Sequence, residues 1–204
     1  MRTLLISAAG IVAAIATASC LADITTGAYL CGSEQLCPGG MACNGSDNVC
    51  VAAAAAVPFA CDPMQQHEPD DTPAQAFAIA TPGCVAQAAT YDACLAQDDP
   101  ANWIAFTAPT GCTAVQLGAR AVFPIAWEPL AIQIWDLTTN AQVATSSACS
   151  DGAALVAGTT DQCVTVALVQ GDRYGIEVAP AGGGDCNGAC TYNRYALTLT
   201  FGTP

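Results

Sequence analysis

Cysteine constrains this chain more than any other residue. Thirteen cysteines occur in 204 residues, a density suited to an oxidising compartment, where disulfides persist. Twelve of them, Cys31, Cys37, Cys43, Cys50, Cys61, Cys84, Cys94, Cys112, Cys149, Cys163, Cys186 and Cys190, follow a first one, Cys20, that closes an apolar N-terminal run. Twelve can form six bridges. The thirteenth needs another fate, because a free thiol near a terminus is unusual in such a compartment. Four fall in CGSEQLCPGGMACNGSDNVC (31–50), spaced C-x5-C-x5-C-x6-C. A block that short cannot bury a core, so its bridges must hold it. Each closed loop of about 15 residues adds roughly 3 kcal/mol. An alternating pairing, Cys31–Cys43 with Cys37–Cys50, is our expectation among three. Zinc is a poor fit, since no C-x2-C gap and no histidine lie inside the block. Asn44-Gly45-Ser46 matches a glycosylation sequon and reads as a turn.

The N-terminus reads as an export signal. Met1-Arg2 gives a positive start, and LLISAAGIVAAIATA (4–18) is an apolar stretch of signal-peptide length. Two processing sites compete. Ala16-Thr17-Ala18 is an A-x-A pattern that ordinary cleavage would use. Thr17-Ala18-Ser19-Cys20 resembles the lipobox of bacterial lipoproteins, with small residues before the cysteine and Thr17 where that family commonly has leucine. The resemblance implies that Cys20 is lipidated and becomes the first mature residue. Parity favours it, because all the other cysteines can then pair. Leu21, rather than aspartate, would follow the lipidated cysteine, which by the same resemblance points to the outer membrane of a Gram-negative envelope.

Composition narrows the partners. The net charge is -13, there is no lysine, and the four arginines are Arg2, Arg120, Arg173 and Arg194. Nucleic-acid binding draws on Lys/Arg contacts to phosphate, so it is excluded as an expectation. Schiff-base and P-loop lysines are excluded outright. Divalent cations stay open beside the plainer reading, in which acidic charge keeps the protein soluble.

Residues 1–19 are read as signal peptide, 20–30 as tether, 31–50 as a small cysteine-rich module and 51–66 as an alanine-rich linker. From 67 to 204 the pattern changes to period two. LAIQIWDL (130–137) aligns Leu130, Ile132 and Ile134; VTVALV (164–169) aligns Val164, Val166 and Leu168. YGIEV (174–178) and YALTLTF (195–201) behave alike, as do NWIAF (102–106) and TAVQLGARA (113–121). Short strands, each with one apolar face, predict an all-β fold: an antiparallel β-sandwich.

The same residues resemble the bacterial pre-peptidase C-terminal domain. EPDDTPAQA (68–76) is similar to that family's opening E-P-N-D-T segment, and DDPANWIAF (98–106) to its acidic turn followed by D-W/Y-F-x-F. LAIQIWDL, GDRYGIEVAP (171–180) and YALTLTF stand where its later strands stand. The likeness covers about residues 67–203. It implies a jelly-roll-like sandwich, commonly a non-catalytic appendage of secreted peptidases that binds collagen or polysaccharide. It also implies calcium, held by Glu68, Asp70 and Asp71 from the first segment and by Asp98, Asp99 and Asn102 from the second. Asp70 stands where the family has asparagine, and Asn102 where it has aspartate.

For the remaining cysteines, Cys186–Cys190, Cys149–Cys163, Cys84–Cys94 and, by remainder, Cys61–Cys112 are the expected bridges. Catalytic motifs are scarce. There is no G-x-S-x-G elbow, and the single histidine, His67, sits at the linker boundary. The adjacent aspartates of 70–71 and 98–99 do not by themselves make an opposed pair. Trp127 and Trp135 are candidate ligand contacts, Tyr91 a weaker one, and RAVFPIAWEPL (120–130) a candidate contact loop. The reading is a non-catalytic, lipid-anchored envelope protein whose sandwich binds an extracellular protein or glycan, with calcium as a stabiliser. A structural envelope component without a free ligand is the alternative.

Overall fold

The structure, a computed structural model, describes residues 29–62, 64, 67–96, 99–181 and 193–202. Among these, eleven strands occur: β1 (Met41–Cys43), β2 (Cys50–Ala52), β3 (Phe77–Ala78), β4 (Gln87–Leu95), β5 (Asn102–Thr107), β6 (Gln116–Pro124), β7 (Leu130–Asp136), β8 (Ala141–Thr145), β9 (Thr159–Ala167), β10 (Arg173–Pro180) and β11 (Asn193–Gly202). β1 and β2 form a hairpin of their own. The others form two sheets, ordered β3-β5-β10-β7-β8 and β4-β11-β6-β9. Pairing is antiparallel except for the short β3, which runs parallel to β5. From β4 onward, consecutive strands mostly alternate between sheets, so the chain wraps one core in the jelly-roll-like manner expected. No helix among the described residues is long and apolar enough to cross a membrane.

Period-two patterning builds that core. Leu130, Ile132 and Ile134 of β7 lie beside Tyr174, Ile176 and Val178 of β10 in one sheet and are buried in one cluster with Tyr195, Leu197, Leu199 and Phe201 of β11 from the other. Phe106 joins the two sheets edge-on to Phe201, with ring centroids 5.0 Å apart. Alanines 119 and 121 take inward positions on β6 beside Leu117 and Phe123. Small side chains there bring less apolar burial per strand, so covalent ties matter more.

Five disulfides lie among the described residues. Cys31–Cys43, Cys37–Cys50 and Cys149–Cys163 form as the spacing led us to expect. The expected Cys84–Cys94 and Cys61–Cys112 bridges do not form. Cys61 pairs with Cys94 and Cys84 with Cys112. The reason is that Cys84 and Cys94 are not the two sides of a hairpin. Most of the chain between them is the single strand β4, whose partner is β11. Cys94 is thus free to take the incoming linker at Cys61. Cys186 and Cys190 lie outside the described residues.

The cysteine-rich module packs against the sandwich. It docks on the sandwich at the β6–β7 turn. The Trp127 indole N–H donates to Asn48 Oδ1 at 2.6 Å, and the Gln35 amide to the Ala126 carbonyl at 3.1 Å. Trp127 and Ala126 pack against the Cys31 and Cys50 half-cystines, with Met41 and Phe59 around them. From β11, Arg194 donates to the carbonyls of Gly45 and Ser46 and lies 4.7 Å above the Phe59 ring. Gly45 is required here, since a Cβ would fall 2.2 Å from the Phe59 amide nitrogen.

Candidate functional site

Two chain segments meet at the start of β5. The Trp103 amide donates to the Asp70 carbonyl at 2.9 Å, laying residues 68–71 against the strand before β3 pairs with it. The β4–β5 turn brings Asp99 to the same place. Its amide donates to the Ala96 carbonyl, and its Oδ1 accepts the Ala101 amide at 3.2 Å. Carboxylate oxygens of Glu68, Asp71 and Asp99 lie within 4.8 Å of one another. Asn102, the first residue of β5, donates through Nδ2 to the Cys94 carbonyl at 3.3 Å and the Tyr195 hydroxyl at 3.0 Å. Asp98 lies outside the described residues.

The carboxylates are charged alike, and Asp70, Asp99 and Asn102 are poorly solvated. Asp70 is 2 % exposed, Asp99 7 % and Asn102 5 %. Burial pushes the Asp70 carboxyl up to about 6, with Glu68 and then Asp71 adding to it. Burial pushes Asp99 up to about 7, with Glu68, Asp71 and Asp70 adding in turn. Every charge that bears on the two is another carboxylate. Tyr195 is held far above its usual range, first by burial, with Asp70 and Asp99 contributing and the Asn102 bond opposing.

Hydrogen bonding leaves the cluster incomplete. Asp70 Oδ1, Asp99 Oδ2 and Asn102 Oδ1 are buried without a hydrogen-bond partner. Each unpaired buried acceptor costs about 1–3 kcal/mol. An all-oxygen donor set of carboxylates plus one amide carbonyl suits a hard dication, and calcium takes about six to eight oxygens in flexible geometry. Zinc or copper would want nitrogen or sulfur. The one histidine, His67, is stacked on Phe77 at 4.2 Å between ring centroids.

The tryptophans divide. Trp127, a candidate ligand contact from sequence, is 6 % exposed. It is consumed by the docked module, because a bulky indole on a turn that faces a coreless module becomes that module's core. Trp135 lies on the outer face of the five-stranded sheet, part-buried. Its N–H donates to Glu177 Oε2 at 2.8 Å, and its ring centroid is 6.0 Å from that of Trp103. Burial raises the Glu177 carboxyl, and the Trp135 bond opposes the rise. Gly175 makes room for this arrangement: a Cβ there would lie 3.0 Å from Trp103.

One surface escaped the sequence reading. On the outer face of the four-stranded sheet, adjoining shallow pockets of about 260 and 320 Å³ share Gly118, Thr165 and Thr200, with Arg120 and Thr198 at one end. A Cβ on Gly118 would lie 2.5 Å from Thr200 Oγ1. An interior strand glycine signals such an approach. Arg120 is held there by Asp161 at 2.5 Å and Asp151 at 3.4 Å.

No family model matches the chain, and no curated protein matches it. Among solved structures, it is similar to the pre-peptidase C-terminal domain of collagenase from Bacillus anthracis, at 11% sequence identity and a TM-score of 0.41, over 66% of this chain and 99% of that one. It is also similar to PliG of Aeromonas hydrophila, a periplasmic inhibitor of g-type lysozyme, at 11% identity and a TM-score of 0.34, over 61% of this chain and 96% of that one.

Proposed function

We propose that this chain is a non-catalytic, lipid-anchored envelope protein whose β-sandwich holds a calcium ion at the acidic cluster and presents its outer faces to an extracellular protein or glycan. The observation that carries the calcium reading is the set of three buried, partnerless oxygens of Asp70, Asp99 and Asn102 beside Glu68 and Asp71. Without an ion, the 68–71 segment and the 99–102 stretch hold like charges and unmet acceptors close to one another. With calcium, both are answered together. The ion would tie the 68–71 segment to the β4–β5 turn and so fix the edge of the five-stranded sheet.

The anchor rests on the lipobox-like Thr17-Ala18-Ser19-Cys20 and on parity, since ten of the other twelve cysteines are already paired. Those bridges also support an extracytoplasmic location. The hydroxyl-lined trough around Gly118 and the Trp103–Trp135 face are the surfaces on which a glycan or protein would rest. A second reading, acid–base catalysis, is favoured by the raised Asp70 and Asp99. It needs those carboxyls to touch substrate, and Asp70 is 2 % exposed.

The test is calorimetric titration of chelator-treated protein with calcium chloride. Binding at about one site, with an affinity in the range of about 10⁻⁴–10⁻³ M known for extracellular calcium modules or tighter, supports the reading. It should vanish in Asp99→Asn and weaken in Asp70→Asn. No heat and no change in thermal stability, in protein whose five bridges are intact, would remove calcium from it.

A further inference from the structure

Exposed apolar side chains are unevenly placed. Eleven large hydrophobics stand exposed among the described residues, and six of them, Tyr29, Leu30, Leu36, Ile125, Leu155 and Val156, gather at one end of the sandwich. Their backbones are interlocked. The Cys50 amide donates to the Tyr29 carbonyl and the Gln35 amide to the Ala126 carbonyl. The Ile125 amide donates to the Gly158 carbonyl and the Thr159 amide to the Val156 carbonyl. Leu30 lies against Gly158, its Cδ1 3.2 Å from where a Cβ would stand. The loop GAALVAG (152–158) carries no charge, and residues 152–157 are all exposed. Within 29–36 the one charge is Glu34. On a chain of net charge -13, an apolar end that carries so little charge, Glu34 within it and Asp151 at its margin, marks a contact surface.

Its position identifies the occupant. Tyr29 is nine residues from Cys20, a distance the chain spans in at most about 30 Å at full stretch. The apolar end is therefore the end from which the proposed anchor leaves. We propose that this end rests on the bilayer itself, with Leu155 and Val156 entering the interface and Tyr29 at headgroup depth, so that the lipid at Cys20 and the apolar loop form a two-point attachment. The acyl chains at Cys20 hold the protein at one flexible point, and a second, apolar contact with the interface would fix its orientation. Tyrosine is enriched at that depth, where one end of its ring is apolar and the other wet. The acidic cluster and the outer faces of the sheets would then keep a fixed attitude to the membrane. The inference rests on the anchor of the preceding section.

The experiment is hydrogen–deuterium exchange on the full chain expressed with its own export signal and processed by a bacterial host, with the mass of its N-terminus recorded first. Acylated protein is inserted into vesicles of zwitterionic phosphatidylcholine. If the mass shows no acyl group, the anchor reading has failed, and the protein is coupled through the Cys20 thiol to a maleimide lipid in the same vesicles. Either way, amides of 29–36 and 152–158 should exchange several-fold more slowly on vesicles than free in solution, while those of the loop at 138–140 are unchanged. Leu155→Asp with Val156→Asp should abolish the slowing and leave attachment through Cys20 intact. Equal exchange on and off the vesicle would overturn the proposal. So would slowing that persists in the double variant, or slowing that appears only when envelope proteins are added, which would assign the patch to a protein partner.

Discussion

In chelator, this protein's stability should fall as pH rises through the range where most proteins are indifferent. Asp70 and Asp99 have carboxyls raised from 3.8 to about 6 and about 7 in the fold. A raised carboxylate binds more protons folded than unfolded, so stability is highest below the unfolded value and is lost as pH climbs through the folded ones. At about 1.36 kcal/mol per pH unit, the rises to about 6 and about 7 correspond to about 3 and 4 kcal/mol. The two groups share Glu68 and Asp71 as neighbours, and Glu68 is exposed to solvent. Screening and coupling discount the total to about 3 kcal/mol. For a chain of this size that is about 6–12 °C of melting temperature between about pH 4 and pH 7.5 in chelator. Saturating calcium should displace the protons and flatten the profile, restoring about 2.7 kcal/mol at a hundredfold excess over its dissociation constant. Differential scanning calorimetry at several pH values, with chelator and with calcium, measures both arms. Asp99→Asn in chelator should lose much of the slope, since the amide has no charge to bury. A melting temperature that is flat across this window in chelator, and equally flat with calcium, would refute the account of the cluster.

Other expected outcomes follow from the docking and the bridges. Trp127→Ala should cost about 3 kcal/mol, at the lower end for a buried tryptophan, because the site borders solvent. Limited proteolysis should then show the module at 31–50 cut earlier than the sandwich. Replacing Cys61 and Cys94 together by serine opens a bridge with a sequence separation of 33. It should cost roughly 3–4 kcal/mol by denaturant titration. It should also weaken calcium binding, because Cys94 carries the carbonyl that holds Asn102.

The sandwich was legible where side chains contrast. LAIQIWDL, YGIEV and YALTLTF alternate large apolar residues with Ala, Gly, Thr, Gln and Glu, Trp135 excepted, and they become β7, β10 and β11 with the expected faces inward. β4 was not legible. Its inward positions are Ala89, Tyr91, Ala93 and Leu95, set against Ala88, Thr90, Asp92 and Cys94. Alanine on both faces erases the alternation, and without the strand the Cys84–Cys94 pairing looked local. β8, AQVAT at an edge, fails for the same reason. The disulfide errors thus descend from one unseen strand.

The acidic residues were visible as two short runs, and a resemblance suggested that they meet. What composition could not carry is the depth at which they meet. Asp70 reads as a solvated turn residue, yet it is buried because Trp103 binds its carbonyl and lies over Gly175, pulling the 68–71 segment down onto the sheet. Burial, with Glu68 and Asp71 beside them, raises the Asp70 and Asp99 carboxyls, so their ionised forms want a cation. The described residues offer them none: the chain has no lysine, Arg120 is committed to Asp151 and Asp161, Arg194 to the docked module, and Arg173 pairs with Thr107 at the other end of β5. A protein so short of positive charge must take its counter-ion for this cluster from solution, as protons or as metal, and the pH profile in chelator distinguishes the two.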